Sequence, residues 1–256
     1  MYWSNLSSEA LLQADKNTPV ILFTGAIEQH GKHLPLVTDT LIASHIAECI
    51  ESELKQDVLI LPTMSVGYSQ HHMEFCGTLS LRHETLIGLY RDILEAVISH
   101  GFKNILVLNT HGGNQATISV VCEMLGHEYH SHNIIHTSWW KLGTERLLEL
   151  NESGFGGVGH AGEFETSLVE YIDSRLCQKH LSQVGGNLAI QSNYPDWTSA
   201  DMLRGAKAVL VQDIKKQTSN GVFGDPTYAC DEKGKQISDI IIAELSQIVK
   251  DMKYLV

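Results

Sequence analysis

Four apolar runs limit this chain most: PVILFTGA (19–26), DVLILPT (57–63), NILVLNT (104–110) and NIIHTSWW (133–140). A strand with one wet face alternates polar and apolar residues. A strand that is apolar at successive positions is buried on both faces, which is the condition of a parallel sheet covered by helices. The intervening segments supply those helices. Residues 38–55 place Ile42, Ile46, Ala47 and Ile50 on one face, and ETLIGLYRDILEAVISHG (84–101) is amphipathic and closes at Gly101. Helices are also expected over 6–14, 114–129, 145–150, 163–176 and 238–252. The expected class is α/β, a three-layer α/β/α arrangement with a mostly parallel sheet. AKAVLVQD (206–213) reads as a strand or a helix end, and the Gly- and Asp-rich residues 185–235 read as ordered loops over the sheet rim. No repeat or linker interrupts the pattern, so a single domain over 1–256 is expected.

Composition excludes several partners. Thirty acidic residues against 18 basic ones give a formal charge of −12, and no basic run appears. Phosphate backbones and anionic membranes both need clustered Lys and Arg, so neither nucleic acid nor a membrane surface is expected as a partner. The five cysteines are scattered, with no C-x-x-C pair. No basic segment followed by an apolar one opens the chain, and no apolar run approaches a membrane span. A reducing, cytoplasmic location is the expectation.

The chemistry concentrates at strand ends. In open parallel sheets, ligands bind beyond the carboxyl ends of the strands. The first run leads directly into EQHGKHLPLVTD and the third into NTHGGN. Glu28 and His30 are two residues apart and point the same way in extended chain. Asp39 follows a turn, and His111 comes from the neighbouring strand. Gly112 and Gly113 allow the backbone to approach a bound group closely. In GHAGEFETS (159–167), His160 and Glu163 share a face of a helical turn. Glu163 and Glu165 are roughly 200° apart on a helix, so both do not face one site. Glu163 is assigned to the site, and Glu165 to structural support or to a place just behind the ligands. Imidazole with carboxylates suits zinc or manganese rather than a thiolate-loving ion. Five such ligands, with Asp39 between two ions, would let a shared hydroxide attack a carbonyl. His160 would protonate the departing nitrogen.

Other clusters read differently. His33 lies beside the site or faces water. HEYHSHNIIH (127–136) reads as a helix-to-strand connection. Gly154, Gly156 and Gly159 satisfy G-x-G-x-x-G, but ERLLELNES rather than a strand precedes them, so no dinucleotide site is expected.

The stretches GAIEQHGKHLPLVTD, GYSQHHMEFCGTLSL, NTHGGN and GHAGEFETS, in this order over about residues 5 to 175, resemble the creatininase (creatinine amidohydrolase) family. The resemblance implies an α/β metal-dependent amidohydrolase that assembles as a homo-oligomer, a hexamer in the family's best-known member. It implies two divalent ions, zinc and/or manganese, with iron as an alternative. It matches Glu28, His30, Asp39 and His111 to metal ligands, Asp39 bridging. Creatininase takes its last ligand from a glutamate at the position of Gly113, so Glu163 is expected to replace it here. Of two tryptophans that enclose creatinine, Trp140 matches one and the other falls near Gly156. Cys76 stands where the family usually has Pro, and His71 where it often has Glu. The chain therefore resembles a His-Gly-Gly-Asn branch rather than true creatininases. Trp140, His72, Tyr68 and Gly113 are expected at the substrate.

The implied activity is hydrolysis of a C–N amide bond in a small polar molecule, cyclic or a formamide. The alternatives are a formamidopyrimidine-nucleotide deformylase, a peptidase of a modified peptide, and, from another class, a non-catalytic metal or small-molecule binding module. Lys32, Arg82, Lys141 and Arg204 form no visible cluster, which disfavours a nucleotide.

Overall fold

The computed structural model describes residues 1–185, 195–198 and 201–255. Four strands form one parallel sheet: β1 (Val20–Thr24), β2 (Leu59–Ile60), β3 (Asn104–Asn109) and β4 (Asn133–Ser138), in the order β2-β1-β3-β4. Each expected strand is present, shortened at its ends where the chain turns into loops. The helices are α1 (Ser8–Gln13), α2 (Thr38–Leu54), α3 (His83–Ser99), α4 (Gln115–Glu128), α5 (Thr144–Leu150), α6 (Glu163–Asp173), the short α7 (Ile214–Gln217) and α8 (Asp231–Met252).

Strand alternation explains the three layers. Ile21, Phe23, Leu106 and Leu108 point to one face and join α2, α5, α6 and α8 in one core. Val20, Leu22, Ile105 and Val107 point to the other and join α3 and α4. Both sets are fully or almost fully buried, so each large side chain contributes on the order of 1.5–3 kcal/mol of transfer energy. β4 departs from the pattern. It lies at the sheet edge and is only partly covered, which fits its mixed sequence NIIHTS.

Two sequence expectations shift. AKAVLVQD (206–213) forms neither strand nor helix, and its Val209 and Val211 are exposed. The last helix begins at Asp231 rather than 238, because Lys233 and Gly234 are already packed against α6. Of the expected loops over 185–235, residues 186–194, 199 and 200 lie outside the described residues. No helix among the described residues is long and apolar enough to cross a membrane.

The strand order fixes where a ligand can bind. From β1 the chain crosses outward to β2, and from β3 it crosses the opposite way to β4. A crevice therefore opens between the carboxyl ends of β1 and β3, the switch point of the sheet. The Thr110 amide donates to the Thr24 carbonyl (2.9 Å), and Thr24 Oγ1 donates to Asn109 Oδ1 (3.2 Å). The two loops leave from one rigid edge.

Candidate metal centre

Glu28 and His30 lie in the loop after β1, buried at the switch point. Asp39 sits in the first turn of α2, where the helix dipole favours a carboxylate. His111 leaves β3 and precedes a short 3-10 turn into α4. The Asp39 carbonyl accepts from Thr110 Oγ1 (2.8 Å), joining α2 to the second loop. Asn114, the last residue of NTHGGN, donates to the Gly25 carbonyl (3.0 Å) and accepts from the Tyr68 amide (2.9 Å). It ties together three loops. That role was not assigned from the sequence, where its only signal was the motif.

The ligand atoms converge. Asp39 Oδ1 lies 3.5 Å from His30 Nε2, and Asp39 Oδ2 lies 3.1 Å from His111 Nδ1. One carboxylate thus addresses two imidazoles with different oxygens. Glu28 Oε1 is 3.3 Å from His111 Nδ1, 3.5 Å from His160 Nδ1 and 3.5 Å from His72 Nε2. Glu165 Oε2 is 3.8 Å from His30 Nε2.

Three imidazoles share a construction. His30 donates from Nδ1 to the Glu28 carbonyl (3.1 Å), His111 from Nε2 to the Tyr68 carbonyl (2.8 Å), and His160 from Nε2 to the Gln29 carbonyl (2.8 Å). Each spends one ring N–H on the backbone and turns its other nitrogen inward, the arrangement that orients metal-ligating histidines.

Glu163, expected as the fifth ligand, lies elsewhere. Its carboxylate accepts from the Glu152 and Ser153 amides (3.1 and 3.0 Å) and from the Ser153 hydroxyl, and pairs with Lys233 of α8. Lys233 also pairs with Glu152. Glu165, assigned to structural support, faces His30 and His160 instead. This corrects the sequence assignment while keeping its geometry: two residues apart on a helix, only one glutamate faces the site. The choice follows from position in the helix. With Gly162 as N-cap, Glu165 is the third residue of α6 and reaches back to the Ala161 amide (2.6 Å), beside His160. Ala161 adopts φ +55°, a strained conformation for a residue with a Cβ.

The electrostatics show a buried demand for positive charge. Burial raises the Glu28 and Asp39 carboxyls, but the surrounding imidazoles outweigh it and hold both below their ordinary values. Burial likewise opposes protonation of His30, yet Asp39 and Glu165 lift it to about 9, and Glu28 and Asp39 raise His111 well above its usual range. Burial, with Asp39 adding to it, lifts the Glu165 carboxyl to about 7. Burial drives His160 down to about 3, with the His30 charge acting in the same direction. Among the described residues no Lys or Arg pairs with Glu28, Asp39 or Glu165. Glu28 Oε2, His30 Nε2 and Asp39 Oδ2 are buried without a hydrogen-bond partner. Orphaned ligand atoms of this kind, all nitrogen or carboxylate oxygen, fit divalent cations of the zinc or manganese type.

The cluster forms the floor of a cavity of about 650 Å³. Tyr68, His72, Gly113 and Trp140 line it, as does His71. Gly113 contributes backbone only: a Cβ there would meet the Tyr68 carbonyl oxygen at 2.1 Å and His111 Nε2 at 2.5 Å. Lys141 is the one Lys or Arg among the described lining residues, while Arg204 lies over the Phe155 ring. The outer wall mixes apolar Met202, Leu203, Val209, Leu210 and Val211 with polar Thr198, Asp201, Gln212 and Gln217. His127, His130, His132 and His136 join no ligand cluster among the described residues.

The sequence profile of the creatininase family, described as creatinine amidohydrolase, matches residues 4–249. The chain belongs to the creatininase family. By that membership it is a hydrolase acting on C–N bonds, an amidohydrolase of creatininase type. The mycofactocin precursor peptide peptidase of Mycobacterium tuberculosis is 26% identical over 241 residues, spanning 91% of this chain and 85% of the relative. A formylaminopyrimidine ribonucleotide deformylase of Methanococcus maripaludis is 24% identical, spanning 91% and 90%. A glutamate-to-glutamine variant of creatininase in its Zn–Zn form superposes with a TM-score of 0.81 at 22% identity, covering 98% of this chain and 97% of that one. The creatininase fold accounts for the three layers and for the switch-point site.

His33 sits just outside the cluster, buried, its Nε2 3.1 Å from Thr166 Oγ1. Burial lowers its pKa to about 4, and His30 adds to the effect. The folded chain therefore binds this proton less readily than the unfolded chain, whose imidazole titrates near its ordinary 6.5. Between pH 6.5 and 4 the unfolded state holds more protons, so stability falls as pH falls across that window. Urea denaturation from pH 7 to 4 is expected to show a shallower loss in His33→Gln than in wild type. Parallel curves would refute the role of His33.

Proposed function

We propose that this chain hydrolyses a C–N amide bond of a small polar molecule with two divalent ions, zinc or manganese, at the switch-point cluster. Glu28, Asp39 and His111 would hold one ion, and His30, Asp39 and Glu165 the other. The observation that carries this reading is the convergence of buried, unpartnered ligand atoms, with Glu28 and Asp39 lining the cavity and His30 Nε2 beside Asp39. When bound, such ions polarise a carbonyl and make water acidic at neutral pH.

The side chains supply proton traffic and orientation. His160 turns a bare Nδ1 toward the cluster, and burial keeps it neutral. It therefore begins as an acceptor, taking a proton from the attacking water. The Gln29 carbonyl, which holds Nε2–H, stabilises the resulting imidazolium, and Nδ1–H then protonates the leaving nitrogen. Trp140 presents a flat apolar wall against which a planar amide packs.

The cavity favours a second reading within the family. Its volume and its mixed apolar and polar outer wall exceed what a small ring needs, which supports a peptide-sized amide. A phosphorylated nucleotide is disfavoured, since among the described lining residues Lys141 alone offers a Lys or Arg cation.

The test is metal analysis of purified protein, joined to a screen of cyclic amides, formamides and short peptides with added Zn²⁺ or Mn²⁺. Bound divalent ion and metal-dependent turnover are expected. Protein free of such ions and inert toward every amide would overturn the reading and favour a binding module.

A further inference from the structure

His72 is built unlike the other three imidazoles, and the difference originates in Gln29. The Gln29 side chain is buried between Glu28 and His30. Its Oε1 accepts from the Gly31 amide at 3.0 Å, and its Nε2 donates to the Gly221 carbonyl at 3.0 Å. Turning the amide over would set N–H against N–H and oxygen against oxygen, so the backbone decides which end is which. Gly221 leaves the room required: a Cβ there would lie 2.0 Å from Gln29 Oε1.

The second Nε2 hydrogen of Gln29 points to His72 Nδ1 at 2.7 Å. An amide N–H only donates, so His72 Nδ1 accepts, and the neutral ring carries its hydrogen on Nε2. The neighbouring His160 Nε2, 3.3 Å from the same amide nitrogen, does not compete, because it donates to the Gln29 carbonyl. In their neutral forms His30, His111 and His160 thus turn a lone pair inward, whereas neutral His72 turns an N–H inward. Nε2 of His72 stands 3.5 Å from Glu28 Oε1, longer than an ordinary N–H···O bond of about 2.9 Å, and His72 lines the cavity.

We propose that Gln29 locks His72 as a neutral hydrogen-bond donor, and that the recipient is the carbonyl oxygen of the bound amide as it gains negative charge. His72 is then a catalytic residue rather than a metal ligand, and Gln29 is its positioning residue. A donor fixed before reaction favours the tetrahedral oxyanion over the ground-state carbonyl. The choice of recipient rests on the amidohydrolase reading; the tautomer and the exclusion of His72 from the ligands do not.

Histidine ¹⁵N spectra of the zinc-loaded protein read the tautomer directly, with the His72 signals identified by their loss in His72→Phe. Wild type is expected to show an unprotonated Nδ1 and a protonated Nε2, and Gln29→Ala a mixture of both tautomers. His72→Phe is expected to keep its full zinc content while kcat falls about 10²- to 10³-fold and KM changes within about twofold. His72→Gln, which retains an N–H donor, is expected to recover part of the loss. A protonated Nδ1 in wild type would overturn the proposal, as would loss of zinc from His72→Phe or a purely KM effect. If wild type turns over no amide, the amidohydrolase reading and the carbonyl recipient fail together, while the spectra still decide the tautomer.

Discussion

Glu165→Gln is expected to lower bound divalent metal by about one ion per chain and to reduce kcat/KM by at least about a hundredfold, an effect larger than that of outer-shell partners. Glu163→Gln, two residues away, is expected to keep the metal and most of the activity. The contrast follows from the opening turn of α6. Glu165 Oε2 faces His30, and among the described residues its only cationic neighbours are imidazoles. Glu163 is already neutralised by Lys233 and held by the amides of residues 152 and 153. Metal content by mass spectrometry, alongside steady-state kinetics, decides between them. Loss of metal from Glu163→Gln with retention in Glu165→Gln would restore the reading made from the sequence.

Lys233→Met is expected to destabilise the protein by about 3–5 kcal/mol, because it leaves the buried Glu163 carboxylate without its cation. For a chain of this size that is on the order of a 10 °C fall in Tm. The double variant Lys233→Met/Glu163→Leu is expected to recover much of the loss, since removing both charges also removes their desolvation cost. The pair joins α8 to the start of α6 and to residues 152–153, so local opening there would precede global unfolding. Calorimetry of the two variants with wild type tests this. Equal Tm values for single and double variants would mean that the pair is not coupled.

Much of the site was legible because strand ends and metal-ligand chemistry both leave marks in a linear sequence. Glu28, His30, Asp39 and His111 stand within short segments directly after apolar runs, and the structure brings all four together. His160 also lies beside Glu28 in the cluster, with its Nε2 on the Gln29 carbonyl and its Nδ1 turned inward. The choice between Glu163 and Glu165 was not legible, because it depends on Lys233, some seventy residues away on another helix. The capping position of Glu165 was a local signal that pointed the right way. Gln29 was hidden for a different reason. Its importance lies in side-chain bonds to residues 31, 72 and 221 and in the carbonyl that holds His160, none of which is visible as a motif.

Sequence alone determined the layered α/β class and the family, and it pointed to a candidate site of nitrogen and oxygen donors at the strand ends. These follow from periodicity, from the chemistry of residue types and from motif order, which are properties of the chain read along its length. Tertiary structure decided which glutamate faces the cluster, which nitrogen each imidazole offers, and how large and how apolar the cavity above it is. Those depend on partners supplied by distant segments, since a buried charge or ring N–H takes its role from what packs against it.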